Sequence, residues 1–128
     1  MTDGGTDRRT HWGRIAALWF AGLVAATQFA KVGVVFDDLA AAWPVGPVAL
    51  GLIVSVTGFV GIVFGTSAGV AVARIGARRM ILTGLCAGAL LSAAETLLPP
   101  YLPMIALRIA EGFSHLAIVV AGPVLIAQ

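Results

Sequence analysis

The chain has 128 residues, of which 59% are hydrophobic and only 11% are charged. Soluble domains carry about 25% charged residues, so this composition excludes an ordinary water-soluble domain and indicates a membrane protein. The net charge of +2 comes from basic residues gathered at predicted helix ends, which argues against nucleic acid as a partner. The single cysteine, Cys86, excludes an internal disulfide, and its apolar surroundings predict a buried structural thiol.

Residues 1–11 are polar and predict a short cytoplasmic tail. Within it, Arg8 and Arg9 resemble a twin-arginine signal. The apolar run that follows is longer than the core of a signal peptide, however, and no convincing cleavage site comes after it. We therefore expect the run to stay in the protein as a membrane span.

The first spanning helix is expected from residue 12 to about residue 36, because a span needs about 20 apolar residues. Trp12 and Trp19 mark its cytoplasmic end, since indole rings prefer the membrane interface. In its second half only Gln28 and Lys31 interrupt the apolar run. Residues 37–47, rich in Pro and Gly and free of Lys and Arg, predict an outer loop.

The second span is expected at residues 48–72, which carry no charge. Its glycines are ordered, since Gly61, Gly65 and Gly69 recur every four residues. Small residues at this spacing let helix backbones approach closely, so we expect this face to pack against a neighbouring helix. The alternative is chance spacing in a sequence rich in Gly.

Residues 73–79 predict a tight turn that carries Arg74, Arg78 and Arg79. Basic residues in short loops stay on the cytoplasmic side, and the two other predicted loops have no Lys or Arg. Both termini of the chain are therefore expected in the cytoplasm. The predicted fold is an all-α membrane protein in which residues 12–128 form one region of four transmembrane helices.

The third span is expected at residues 80–98 and the fourth at residues 104–128. Glu95 interrupts the third span close to its end, and we interpret it as a charge at the membrane interface. The fourth span carries Arg108, Glu111 and His115.

The basic turn resembles a signature of the major facilitator superfamily, Gly-x-x-x-Asp-Arg-x-Gly-x-Arg-Arg, which lies between the second and third helices of its members. Five places of the signature are filled here by Gly69, Arg74, Gly76, Arg78 and Arg79. Ala73 stands where the acidic residue is usual. The family also shows an Arg-x-x-x-Gly signature in the fourth helix, which Arg108 and Gly112 match.

Members of that family have about twelve helices in two halves of six, so the resemblance implies that this chain is the N-terminal portion of a transporter, either a fragment or a truncated gene. The implied function is secondary transport of a small solute by alternating access across the cell membrane, such as a bacterial inner membrane, with protons as a candidate coupling ion. The implied partners are the lipid bilayer, the solute and the remainder of the transporter. The basic turn would act as a gating latch or would only set topology, and Ala73 weakens the latch.

Ionisable groups at membrane depth are costly and are therefore candidates for function. Arg108, Glu111 and His115, at i, i+3 and i+7, lie on one helical stripe. In the resembled family the first and fourth helices border the central cavity, so Gln28 and Lys31 join the candidate pathway for substrate and protons. The alternative is structural: Arg108 and Glu111 form a packing ion pair, Lys31 extends to the interface, and His115 bonds a backbone carbonyl.

Two other functions compete with the transporter. A small four-helix multidrug exporter acting as a dimer fits the length, but it needs a carboxylate deep in the first helix, where Lys31 is the only ionisable group after Arg14. A membrane scaffold or assembly subunit that does not transport would need no polar stripe. No enzyme, metal site or cofactor is expected, because no Cys or His pair has metal spacing and no phosphate-binding loop is present.

Overall fold

The computed structural model describes residues 12–127. They form α1 (Trp12–Val34), α2 (Phe36–Ala42), α3 (Pro47–Ile75), α4 (Ala77–Glu95) and α5 (Tyr101–Ile126). All but α2 are long and apolar enough to cross a membrane, in agreement with the expected helical fold with four spans. The predicted tail and its pair of arginines lie outside the described residues.

Contacts along α5 define the directions of its neighbours. Gly84 packs against Ile118, and Ser92 bonds Glu111, so α4 runs antiparallel to α5. The hydroxyl of Tyr101, at the start of α5, donates to the carbonyl of Ala49, at the start of α3, over 3.0 Å. Further along the same two helices Gly112 packs against Val60. Helix α3 therefore runs parallel to α5, and α5 lies between α3 and α4.

The buried apolar residues form two clusters, one towards each end of the bundle. The Ala25 cluster contains Ala21, Ala25, Val72, Ala77, Ile81, Ile118 and Ala121. The Ile53 cluster contains Val32, Leu39, Trp43, Leu50, Ile53 and Met104. On α5, the buried polar side chains at positions 108, 111 and 114 lie between Met104 of one cluster and Ile118 of the other. A polar layer is thus enclosed between two apolar layers.

The predicted outer loop at residues 37–47 was wrong in its first half, which forms α2. Asp37 and Asp38 occupy the first turn of this helix, where negative charge interacts favourably with the helix dipole. Leu39 and Trp43, four residues apart on one face, are buried in the Ile53 cluster. This burial favours a helix over an open loop.

The predicted basic turn was too long, because α3 continues to Ile75 and α4 begins at Ala77. Gly76 alone makes the turn, with a φ of 93°. Only glycine adopts this conformation without steric strain. The flanking residues remain helical, and Arg74 lies in the last turn of α3.

Two packing predictions in the spans also differ from the packing of the described residues. A Cβ atom added at Gly61, Gly65 or Gly69 would meet no heavy atom within 4 Å among the described residues, so this face does not pack within the described chain. The close approaches occur on α4 and α5 instead, at Gly84, Gly88 and Gly112. Cys86, expected to be buried, is exposed on the outer face of α4.

Candidate functional site

Arg108 is the centre of the polar layer. It lies seven residues into α5, roughly 10 Å along the axis at ~1.5 Å per residue, and is 0% exposed. Its Nε donates to the carbonyl of Ile53 over 3.4 Å, and its Nη1 donates to the carbonyl of Gln28 over 3.2 Å. One guanidinium therefore connects α5 to backbone atoms of both α3 and α1.

Glu111 neutralises Arg108 from the next turn of the same helix. It is also 0% exposed, and its Oε2 pairs with Arg108 Nη1, as the i, i+3 spacing predicts. The other carboxylate oxygen, Oε1, accepts from Lys31 Nζ over 2.5 Å and from the Ser92 hydroxyl over 2.8 Å. Burying an ion is costly unless its charge is paired and its oxygens are bonded, and both conditions hold for Glu111.

Lys31, in the last turn of α1, joins three oxygen-bearing side chains. Its Nζ donates to Ser92 Oγ over 2.7 Å and lies 2.6 Å from Glu95 Oε2, in addition to its bond with Glu111. Its side chain is 31% exposed, whereas that of Glu95 is 8% exposed and that of Glu111 is fully buried. Helices α1, α4 and α5 meet at this ammonium.

Glu95 belongs to this network, so its interpretation as an interfacial charge was wrong. It is the last residue of α4, but its side chain is only 8% exposed. It turns into the bundle because Lys31 and Arg108 face it there: Arg108 Nη1 lies 3.9 Å from Glu95 Oε1. The sequence held a signal for this pairing, since Glu95 and Lys31 are the lone ions near the ends of two spans on the same predicted side.

We define the charged layer as Lys31, Glu95, Arg108 and Glu111. It contains two cations and two anions. Three polar atoms in and beside it have no hydrogen-bond partner among the described residues: Glu95 Oε1, Arg108 Nη2 and Gln28 Oε1. The charged layer is therefore electrically neutral, but some of its hydrogen-bonding groups have no partner among the described residues.

His115 lies outside these ion pairs. Its Nδ1 is 2.9 Å from the carbonyl oxygen of Ala25, and its ring lies 6.0 Å from that of Phe29. This is the structural alternative that the sequence left open for His115. The amide of Gln28 lies against α4 at Gly88, where a Cβ would overlap Gln28 Nε2, so glycine at this position admits the polar side chain.

The two signature motifs lie in different environments. The residues of the turn motif, around the α3–α4 junction, are exposed: Gly69, Arg74, Gly76, Arg78 and Arg79. They do not belong to the charged layer. Gly112 lies next to it and is a close-packing site, because a Cβ there would come within 2.9 Å of Val60 and 3.3 Å of the Thr57 backbone.

Comparisons with protein-family models, with curated proteins and with solved structures found no match. Among residues 12–127, no group of three or more His, Cys, Asp or Glu side chains could hold a metal ion. What the charged layer offers is a set of interchangeable ionic contacts between helices, in which each carboxylate has more than one cationic neighbour.

Proposed function

We propose that this protein is a secondary transporter of the major facilitator type, in which these four long helices correspond to the first four and move a small solute across the cell membrane by alternating access. The observation that carries the proposal is the charged layer inside a bundle of apolar helices. Replacing a buried ion pair by apolar residues is often neutral or stabilising. Stability alone is therefore weak grounds for placing four ionisable groups inside apolar helices, and such groups at membrane depth are candidates for function.

The position of the layer supports this mechanism. Alternating access needs a central site that opens to one side of the membrane at a time. The charged layer lies between the Ala25 cluster and the Ile53 cluster, and each cluster is a candidate barrier on one side. Separation of the helices through one cluster would expose the layer to that side while the other cluster stays packed.

The distribution of the charges bears on the competing functions. The exporter hypothesis needs a carboxylate in the first helix, whereas α1 contributes Lys31 and the carboxylates lie on α4 and α5. A scaffold needs packing surfaces but no charged interior. Both alternatives therefore account for less of the observed arrangement than a solute pathway does.

The test is transport by the intact protein in sealed vesicles, with labelled amines, carboxylates and sugars offered under an imposed pH gradient. We expect Glu111→Gln to reduce uptake of the transported solute at least tenfold. The matched control is Asp37→Asn, the same kind of change at an exposed position of α2, which should leave uptake within twofold of wild type. Full uptake by a folded Glu111→Gln variant would contradict the proposal.

A further inference from the structure

We propose that the oxygens of Ser92, Glu95 and Glu111 form a binding site for the primary ammonium group of an amine solute, and that Lys31 is a tethered occupant that the solute displaces. The proposal rests on the transport function above and names the substrate class: monovalent alkylamines. We call these three side chains the ammonium site.

The oxygens around Lys31 Nζ are arranged as in a binding site for an ammonium group. Its oxygen neighbours are Ser92 Oγ at 2.7 Å, Glu95 Oε2 at 2.6 Å and Glu111 Oε1 at 2.5 Å. An ammonium has three N–H donors and no acceptor, so three oxygens match its capacity. Two of them are carboxylate oxygens, which make the strongest hydrogen bonds with cations.

The two cations of the charged layer differ in how firmly they are held. Arg108 is 0% exposed and is bonded to backbone carbonyls of two other helices. Lys31 is partly exposed, has side-chain partners only, and carries its charge on a flexible four-carbon stem. Lys31 is therefore the cation that can leave the site, while Arg108 stays and fixes Glu111.

A second observation points to an incoming donor. Glu95 Oε1 belongs to a side chain that is more than nine-tenths buried, and it has no hydrogen-bond partner among the described residues. Its sister oxygen, Oε2, is already paired with Lys31. An incoming ammonium can thus donate to Oε1 as Lys31 withdraws, so Glu95 is not left without an ammonium partner during the exchange.

The charge balance selects the valence of the ligand. Two cations face two anions in the charged layer. Withdrawal of Lys31 leaves one excess negative charge, which a single ammonium neutralises. A neutral sugar or a carboxylate would leave the buried charge uncompensated, and this is costly.

The test uses the intact protein in detergent and replaces Lys31 with Ala. This change removes the atoms from Cγ to Nζ, which correspond to n-propylamine. We expect n-propylammonium to bind Lys31→Ala saturably and at least tenfold more tightly than wild type, where the tethered ammonium competes. Adding Glu111→Gln to Lys31→Ala should weaken that binding at least tenfold. Calorimetric titration measures the affinities.

Three ligand controls test the chemistry. Tetramethylammonium has the same charge but no N–H donor, 1-propanol has no charge, and Na⁺ has no alkyl group. Equal binding of any of these to Lys31→Ala, or no saturable binding of n-propylammonium, would overturn the proposal. If Lys31→Ala does not fold, Lys31→Met keeps most of the stem volume, and methylammonium is then the probe, with the same expectations.

The outcome separates this inference from the transport function. Gradient-driven uptake of a solute without an amine, together with no ammonium binding, would remove the ammonium site and leave the transporter. Tight n-propylammonium binding without transport of any solute would keep the site and remove the proposed function.

Discussion

Lys31 Nζ and Glu111 Oε1 lie 2.5 Å apart although the two residues are 80 positions apart in the chain. The contact joins the last turn of α1 to the interior of α5. It brings the only Lys of the chain into the same buried layer as Arg108. The charged layer therefore forms because α1, α4 and α5 pack together. We expect a substitution at any of its four residues to change solute uptake or the stability of the protein.

Arg108→Ala should reduce solute uptake sharply, at least tenfold, while the protein still inserts and folds. The change removes the partner of buried Glu111 and the contacts to two backbone carbonyls. Breaking a buried pair in this way costs about 3–5 kcal/mol in soluble proteins. The measurement is uptake in vesicles, normalised to folded protein.

Arg108→Lys provides the comparison for this prediction. An ammonium cannot reproduce the planar guanidinium that contacts Ile53, Gln28 and Glu111 together. We therefore expect only partial recovery of uptake. Near-normal uptake in Arg108→Ala would remove Arg108 from the candidate site.

Lys31 and Glu95 should be energetically coupled. Lys31→Met and Glu95→Gln each leave the charged layer with an unbalanced charge, whereas the double variant restores the balance. We expect the double variant to lose less stability than the sum of the two single changes, by about 0.5–3 kcal/mol. Unfolding in detergent measures the stability of the two single variants and of the double variant relative to wild type. Pairing Lys31→Met with Arg79→Gln, at the exposed start of α4, should give additive effects, and additivity for Lys31 with Glu95 would contradict the ion pair.

Gly112 should tolerate no side chain, in contrast to Gly65. A Cβ at Gly112 would press against Val60 and the Thr57 backbone, whereas at Gly65 it would meet no described atom within 4 Å. Gly112→Ala should destabilise the folded protein by about 1–3 kcal/mol through overpacking. Gly65→Ala should be neutral or slightly stabilising, since Ala favours a helix over Gly by about 1 kcal/mol. Thermal unfolding of the two variants compares them, and equal losses would argue against the close α3–α5 approach.

The predicted orientation is open to labelling with single cysteines in a background where Cys86 is replaced by Ser. Ala73→Cys, near the exposed end of α3, should react only with reagents on the cytoplasmic side, and Pro44→Cys only with reagents on the outer side. Ala73 and Pro44 are both exposed. Ala77, on the other side of the Gly76 turn, is buried and would label poorly. Reaction of Ala73→Cys with reagents on the outer side would contradict the predicted orientation of the helices.

Local chemistry determined which segments form the spans, but not the residues at which the helices end. Runs of apolar residues longer than about 18 leave few alternatives to a spanning helix, and the four expected spans correspond to α1, α3, α4 and α5. The i, i+3 spacing of Arg108 and Glu111 likewise predicted their pairing, because neighbours on one helix face meet whatever the rest of the chain does.

Tertiary packing alone decided which faces meet. The four-residue spacing of Gly61, Gly65 and Gly69 predicted a close-packing face there, but the close approaches among the described residues occur at glycines on α4 and α5. Packing of α4 against α1 and α5 also places the Glu95 side chain inside the bundle, beside Lys31, instead of at the membrane interface. In an apolar helix every face is nearly equal in hydrophobicity, so the pattern of the sequence carries little information about rotation around the axis. Rotation is decided by the few buried charges, whose pairing across three helices depends on contacts between residues far apart in the chain.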